Sequence, residues 1–216
     1  MKVSVLCSSK NHPAFPVLDS WCRDKCSRHE VEIVHSSRNL NGGDILFLIA
    51  CSEIITADVR ERYRASLVVH ASDVPRGRGW SPHLWQILEG RNRITVTLLE
   101  AEDSVDSGAI WEQHELQLQG HELFDEINKL LYETVINLMD FALEDIDKVE
   151  PHAQGGQEPS YYPKRTPEDS RIDPDKSIAE QFDLLRIADP DRYPAFLDIR
   201  GQRYEIQLVK PRSGKQ

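Results

Sequence analysis

The stretch Asp44-Ile45-Leu46-Phe47-Leu48-Ile49-Ala50-Cys51 is a continuous apolar run that follows the turn Gly42-Gly43. Runs of this kind are typical of parallel strands that are covered on both faces. On both sides of it, segments with strand-like and helical spacing alternate from residue 2 to about residue 147. The alternation predicts an α/β fold that is Rossmann-like, with a mostly parallel open sheet and flanking helices.

Residues that typically begin or end helices mark several of the predicted elements. Pro82 begins one helix and Gly90 stops it, and Thr56 is a plausible N-cap of another. Apolar residues at helical spacing within 121–147 predict the longest helix, with its stripe packed on the sheet. The predicted strands are 2–7, 31–35, 44–51, 66–70, 93–99 and 109–118, and the predicted helices are 16–25, 56–63, 81–88 and 121–147.

Composition changes after residue 148. Residues 149–167 contain Gly155-Gly156 and several prolines, which predicts a long irregular connection. A short amphipathic helix is expected at 177–188, and a β-hairpin at 193–209 with its break at Gly201. The chain is therefore divided into a catalytic domain, 1–148, and a C-terminal extension, 149–216. The hairpin either caps its own sheet or joins that of a second copy, which leaves a homodimer open.

The formal net charge of −10 disfavours a nucleic acid or an anionic membrane as a partner, although a small anionic ligand can bind in a local basic pocket. Without an apolar stretch of roughly 20 residues or a recognisable signal peptide, the expected location is the cytoplasm. Cys22 and Cys26 lie one helical turn apart, but their spacing is unusual for zinc. Buried free thiols are the better interpretation, and no metal is expected.

Two polar segments each follow a predicted strand. The first begins His70-Ala71-Ser72-Asp73-Val74-Pro75-Arg76-Gly77-Arg78-Gly79, and the second is Glu102-Asp103-Ser104-Val105-Asp106-Ser107-Gly108. A histidine at one strand end and an aspartate past the neighbouring strand can meet at the carboxyl edge of a sheet. Such a pair is suited to proton-linked chemistry.

The first segment resembles the His-x-Ser-x-x-Pro-x-x-x-Gly signature of the folate-dependent formyltransferases, and the block 105–110 resembles their second signature. The tail 161–173 is similar to that of the sugar N-formyltransferase branch, and in particular to the short formyltransferases of pseudaminic acid biosynthesis. The resemblance implies transfer of a formyl group from N10-formyltetrahydrofolate to the amine of a nucleotide-linked amino deoxysugar, with UDP preferred as the nucleotide.

The resemblance assigns His70 as the base or oxyanion partner, and Asp106 as the group that orients it. One departure stands out, because Val68 occupies the position where the family has an asparagine two residues before the histidine. Loss of an oxyanion donor commonly costs about a hundredfold or more in rate. Ser52, at the end of the neighbouring predicted strand, is our candidate replacement, although a turn or cap role is an equal alternative.

The remaining site residues also follow from the resemblance. The residues expected to hold the pterin are Cys51, Ser52, Ile54, Trp80, Glu102, Asp103, Ser104, Val105 and Asp106. A sugar-nucleotide pyrophosphate and its base are expected at Arg78, Tyr162, Lys164, Arg165 and Arg186, since arginine binds phosphate in a bidentate way. Ordinary surface salt bridges are the alternative for each of these basic residues.

Three other functions stay open at this point. A methionyl-tRNA formyltransferase is expected to have a basic surface and a fuller C-terminal domain, and this sequence shows neither. Formyltetrahydrofolate hydrolysis would place water where the amine binds. A non-catalytic module that binds folate or a sugar nucleotide is favoured only by Val68.

Overall fold

A computed structural model describes residues 1–211 of the chain. Residues 212–216 of the expected C-terminal extension lie outside the described part. The strands are β1 (Lys2–Leu6), β2 (Glu30–Val34), β3 (Gly43–Leu48), β4 (Tyr63–His70), β5 (Arg78–Gly79), β6 (Arg93–Glu100), β7 (Ile110–Gln117), β8 (Tyr161–Tyr162), β9 (Ala195–Ile199) and β10 (Gln202–Ile206). The helices are α1 (Phe15–Lys25), α2 (Ala57–Arg60), α3 (Pro82–Leu88), α4 (Phe124–Asp145) and α5 (Phe182–Arg186).

Six strands form one sheet in the order β2-β1-β3-β4-β6-β7. The first four are parallel to one another, whereas β6 runs antiparallel to β4 and β7 antiparallel to β6. The mostly parallel α/β architecture expected from the alternating elements is confirmed. The carboxyl ends of β1, β3 and β4 meet at one edge, which is where ligands bind in open α/β sheets.

The core lies between the sheet and the helices α1 and α4. The buried face of α4 supplies Ile127, Leu131, Leu138 and Met139, which pack with β-strand residues such as Phe47 and Leu98. The apolar stripe predicted for the long helix therefore packs on the sheet. No helix in the described part of the chain combines the length and the apolar character needed to cross a membrane.

Several predicted boundaries differ from the structure. The helix expected at 56–63 is only one turn, α2, because Tyr63 already begins β4 and is buried with its hydroxyl donating to Ser4 Oγ at 2.9 Å. The strand expected to reach Cys51 ends at Leu48, and Ala50 has a left-handed backbone with φ 52°. The terminal hairpin is confirmed as β9 and β10, which pair antiparallel around Gly201.

The C-terminal extension packs against the sheet domain. The two-residue strands β5 and β8 pair in parallel, a contact that the sequence did not indicate. The helix expected at 177–188 is shorter and begins with the 3₁₀ turn Ala179–Gln181 before α5. Arg186 on α5 is only 1% exposed and donates to Asp183 Oδ1 of the same helix at 2.6 Å. It also donates to Asn92 Oδ1 at 3.2 Å, and this second bond holds α5 against the turn before β6.

Candidate active site

His70 and Asp106 meet at the sheet edge. His70, the last residue of β4, is 6% exposed, and its Nδ1 lies 3.5 Å from Asp106 Oδ2. Its Nε2 lies 2.8 Å from the carbonyl oxygen of Gly77, which only accepts, so Nε2 carries a proton. The second ring nitrogen, Nδ1, therefore faces the carboxylate of Asp106.

The route by which Asp106 reaches His70 differs from the expected one. Because β6 is antiparallel to β4, Glu100 at its carboxyl end pairs with Leu67 and does not lie at the edge beyond His70. The loop 101–109 therefore runs back toward the site. A Cβ at Gly108 would lie 2.0 Å from the carbonyl oxygen of Glu100, so only glycine permits this close approach.

Hydrogen bonds to the backbone hold Asp106 in place. Its Oδ2 accepts the N–H of Gly79 at 2.9 Å, and its carbonyl oxygen accepts Gln154 Nε2 at 2.8 Å. Gly79 has φ 99°, and a Cβ there would lie 2.5 Å from the carbonyl oxygen of Tyr162. Gly79, at the end of the segment that begins at His70, thus fixes the carboxylate of Asp106.

His70 and Asp106 line a cleft of about 660 Å³. We name two parts of it. The loop half is lined by Cys51, Ser52, Glu53, Ile54, Ile55, Val68, Ala101, Glu102, Asp103 and Val105. The helix half is lined by His12, Ala14, Phe124, Leu131, Tyr132, Val135, Ile187, Asp189, Arg192 and Tyr193.

Backbone strain concentrates at this cleft. Ala50, Ser81 and Asp106 have φ values of 52°, 46° and 53°, and all three line it. Non-glycine residues with positive φ persist only when the surroundings hold them, and they cluster at functional sites. The observation supports a function at the cleft independently of the sequence motifs.

Most of the residues expected to hold the pterin lie in the cleft. Ser104 is the exception, because it lines a neighbouring depression of about 440 Å³ together with Glu102 and Asp103. Ser52 and Val68 both line the loop half, and the backbone N–H of Ser52 donates to Ser8 Oγ at 2.8 Å. A catalytic role for the Ser52 hydroxyl stays a prediction.

The basic residues expected to hold the acceptor separate into two groups. Lys164 and Arg165 line the cleft. Arg78, Tyr162 and Arg186 do not: Arg78 bonds Gln154 Oε1 at 2.5 Å, the hydroxyl of Tyr162 donates to Glu89 at 2.7 Å, and Arg186 is buried in the contact described above. These three connect the extension to the sheet domain, so the structure gives them a packing role in place of ligand contact.

Arg165 is a buried cation that faces the cleft. It is 8% exposed, its Nη2 donates to the carbonyl oxygen of Asp169 at 2.8 Å, and its Nε has no hydrogen-bond partner among the described residues. Burial lowers the pKa of Arg165, an effect that nearby Asp169 opposes. No carboxylate within residues 1–211 forms a salt bridge with its guanidinium, so the site favours an anionic ligand.

Several groups of the helix half had no signal in the sequence. His12 accepts the N–H of Ala14 at 3.2 Å through Nδ1, and burial, aided by Arg192, lowers its pKa to about 4. Tyr132 is 9% exposed, and its hydroxyl has no hydrogen-bond partner within residues 1–211. Asp189 is buried and pairs with Arg192 at 2.5 Å.

No cluster of three or more metal-ligating side chains is present within residues 1–211. Cys22 is a buried free thiol as expected, but the burial expected for Cys26 is wrong, because its thiol is exposed. The groups that line the cleft include three imidazoles, several carboxylates, the buried guanidinium of Arg165 and two tyrosine hydroxyls. Together they can exchange protons with a bound molecule, bind an anion and donate to a hydroxyl.

Comparison with known proteins gives three kinds of relative. The chain is 26% identical over 181 residues to methionyl-tRNA formyltransferase of Clostridium beijerinckii, a match that covers 80% of this chain and 58% of the relative. The chain thus spans little more than half the length of that curated relative.

Solved structures share the fold at lower identity. A 4-N formyltransferase from Francisella tularensis superimposes with a TM-score of 0.75 at 18% identity, covering 98% of each chain. HypX from Aquifex aeolicus in complex with tetrahydrofolic acid gives 0.78 at 20% identity, covering 100% of this chain and 40% of that one. The family model described as formyl transferase matches residues 3–139, well over half of the sequence. The chain belongs to the formyl transferase family.

Proposed function

We propose that this protein transfers a formyl group from N10-formyltetrahydrofolate to the amino group of a nucleotide-linked amino deoxysugar. The observation that carries the proposal is the His70–Asp106 pair in a cleft that also holds the buried Arg165, whose Nε has no hydrogen-bond partner among the described residues. The pair handles protons and the guanidinium binds an anion, which are the two tasks that this reaction sets.

N10-formyltetrahydrofolate is a co-substrate that supplies the activated formyl group. Its pterin fits the loop half, where Ile54, Ile55, Val68 and Ala101 provide apolar surface and the loop backbone provides donors and acceptors. Ile54 is exposed at this part of the cleft, which suits a side chain that covers a flat ring. The formyl group then faces the end of β4.

The amine nitrogen forms a bond to the formyl carbon, and the bond from that carbon to N10 breaks. The amine gives up one proton and N10 gains one, so the reaction needs a group that takes and returns a proton. His70 performs this task, and Asp106 orients the ring and stabilises its protonated form. The Gly77 carbonyl and the Gly79 N–H hold the two side chains at the required distance.

The acceptor binds in the helix half. Arg165 and Lys164 hold its phosphates, and Tyr193 stacks on its base. Ala14, Phe124, Leu131 and Val135 provide apolar surface that suits the deoxygenated edge of the sugar, while the free hydroxyl of Tyr132 donates to one of its polar groups. By the resemblance of residues 161–173, we place the sugar on the pseudaminic acid pathway, with UDP as the nucleotide and surface polysaccharide as the product's destination.

Methionyl-tRNA is the second candidate acceptor, because the relative from Clostridium beijerinckii carries that name. The formal net charge of −10 argues against it, since binding of a nucleic acid depends on neutralising phosphates. The sugar proposal is therefore preferred.

Incubation of the protein with N10-formyltetrahydrofolate and UDP-linked 4-amino-6-deoxysugars tests the proposal. A formylated sugar nucleotide detected by mass spectrometry, with equimolar tetrahydrofolate, is the expected result. Formylation of charged methionyl-tRNA in its place would overturn the choice of acceptor. Release of formate without a formylated amine would indicate a hydrolase, and binding without turnover would indicate a non-catalytic module.

A further inference from the structure

Val68 removes a hydrogen-bond donor from the reacting centre. Side chains two residues apart on a strand share a face, so Val68 and His70 on β4 point to the same side of the sheet. Val68 lines the cleft but carries no polar atom in its side chain. When an amine adds to a formyl group, the carbonyl electron pair moves to oxygen, and that charge needs a donor. The donor must therefore come from another element.

His83 lies in the first turn of α3 and lines the same cleft. Gln86, one turn further on, places its Nε2 2.8 Å from the carbonyl oxygen of Ala71 and 3.2 Å from that of Pro82. Because the two carbonyl oxygens share one donor nitrogen, the first turn of α3 is held beside the residue that follows His70.

The imidazole of His83 is available to a ligand. No hydrogen bond to either ring nitrogen is present within residues 1–211, although the side chain is partly buried. Burial lowers the pKa of His83 to about 3, with smaller contributions from His70, His12 and Arg165. The ring therefore stays neutral at physiological pH, and a neutral imidazole always retains one N–H donor.

We propose that His83 donates this N–H to the oxygen of the formyl group as the amine adds, and so supplies the donor that Val68 lacks. The inference rests on the proposed formyl transfer. His83 keeps its proton throughout, whereas the amine proton passes to His70 and a proton reaches N10 as the carbon–nitrogen bond breaks. The extra electron pair on oxygen re-forms the carbonyl double bond as the bond from carbon to N10 breaks.

Three variants test the donor by steady-state kinetics with N10-formyltetrahydrofolate and the UDP-linked amino sugar. His83→Leu is expected to lower kcat about 100-fold, with little change in the KM for the folate. His83→Gln keeps an N–H donor, and Val68→Asn combined with His83→Leu restores one from β4. At least one of these two is expected to recover kcat by tenfold or more.

Val68→Ala in the His83→Leu background is the matched control and is expected to recover nothing. His121→Leu, at an exposed histidine outside the cleft, is expected to match the unaltered protein. A His83→Leu variant within threefold of the unaltered kcat overturns the proposal. A folded His83→Leu variant whose loss of kcat is recovered by neither donor-bearing variant also overturns it. If His83→Leu is unimpaired and Ser52→Ala lowers kcat tenfold, the donor is Ser52 and not His83.

A binding measurement separates failure of this inference from failure of the proposed function. The ¹⁵N resonances of His83 are expected to shift when 10-formyl-5,8-dideazafolate is added, and not when 5,8-dideazafolate without the formyl group is added. If no acceptor is formylated but this difference is present, the acceptor is wrong and His83 remains the donor. If the two analogues give the same shift, the assignment of His83 is overturned.

Discussion

The two halves of the cleft are built from different parts of the chain. The loop half comes mainly from two short segments, 51–55 after β3 and 101–105 after β6, together with Val68 of β4. The helix half combines the turn before α1, the first half of α4 and residues 187–193 of the extension, which are far apart in sequence. The loop half also carries the carboxylates Glu53, Glu102 and Asp103, whereas the helix half carries the partly buried His12, the buried Tyr132 and the ion pair of Asp189 with Arg192.

This difference assigns separate tasks to the two halves. The loop half is built from residues at or after the ends of β3, β4 and β6, and we expect it to bind the formyl donor. The helix half depends on how the extension packs on α1 and α4. We therefore expect changes in the helix half to alter acceptor binding and leave folate binding intact, while changes where the halves meet stop the chemistry.

The largest effect is expected where the halves meet. His70→Ala removes the group that accepts the amine proton, so kcat for formyl transfer should fall about a thousandfold. Binding of 10-formyl-5,8-dideazafolate, measured by calorimetry, should change little. His114→Ala, on exposed surface of β7, is the matched control. A kcat within tenfold of the unaltered value would remove His70 from the mechanism.

Arg165→Met tests the anion site of the acceptor. Loss of a buried charged donor should raise the KM for the UDP-linked sugar about 10-fold to 100-fold, with a small change in the KM for the folate. Arg93→Met, at an exposed arginine that pairs with Glu115, should leave both constants unchanged. Equal weakening of both substrates would show that the two halves do not act separately.

His12 in the helix half and His83 on α3 predict a pH dependence of stability. Burial lowers the pKa of His12 to about 4 and that of His83 to about 3, whereas an unperturbed histidine titrates near 6.5. Below pH 6.5 the unfolded chain binds protons that the folded chain excludes, so stability falls as the pH falls toward 4. Each histidine should lower the folding equilibrium constant about tenfold per pH unit.

Urea unfolding at pH 7, 6 and 5 measures this dependence. His12→Gln and His83→Gln should each flatten the profile between pH 6 and pH 5, whereas His114→Gln should leave it unchanged. Profiles of equal slope for all four proteins would contradict burial of the two rings in their neutral form.

The smallest effect is expected for Tyr132→Phe. The change removes one hydroxyl from the helix half, and a neutral hydrogen bond contributes about 1 kcal/mol, so the KM for the acceptor should rise about fivefold at unchanged kcat. Tyr204→Phe on the exposed strand β10 is the control. An unchanged KM would mean that the acceptor does not reach Tyr132.

The sequence was most informative where function depends on neighbours in the chain. The motif that begins at His70 and the block around Asp106 were read directly, and the structure brings the two side chains together. Lys164 and Arg165 were named with Arg78, Tyr162 and Arg186, but only the first two line the cleft. Basic residues in a tail look alike in sequence, and burial against Asn92 or Gln154 distinguishes them only after folding.

The amino-acid sequence by itself determined the α/β class, the strand-end motifs and the apolar stripe of α4, because periodicity and turn residues act over a few positions. Only the tertiary structure decided that β6 runs antiparallel, that Asp106 returns to His70 along a loop, and that His12, His83 and Tyr132 share a cleft with Arg165. These features bring together residues that are far apart in the sequence, and packing rather than local preference selects such arrangements.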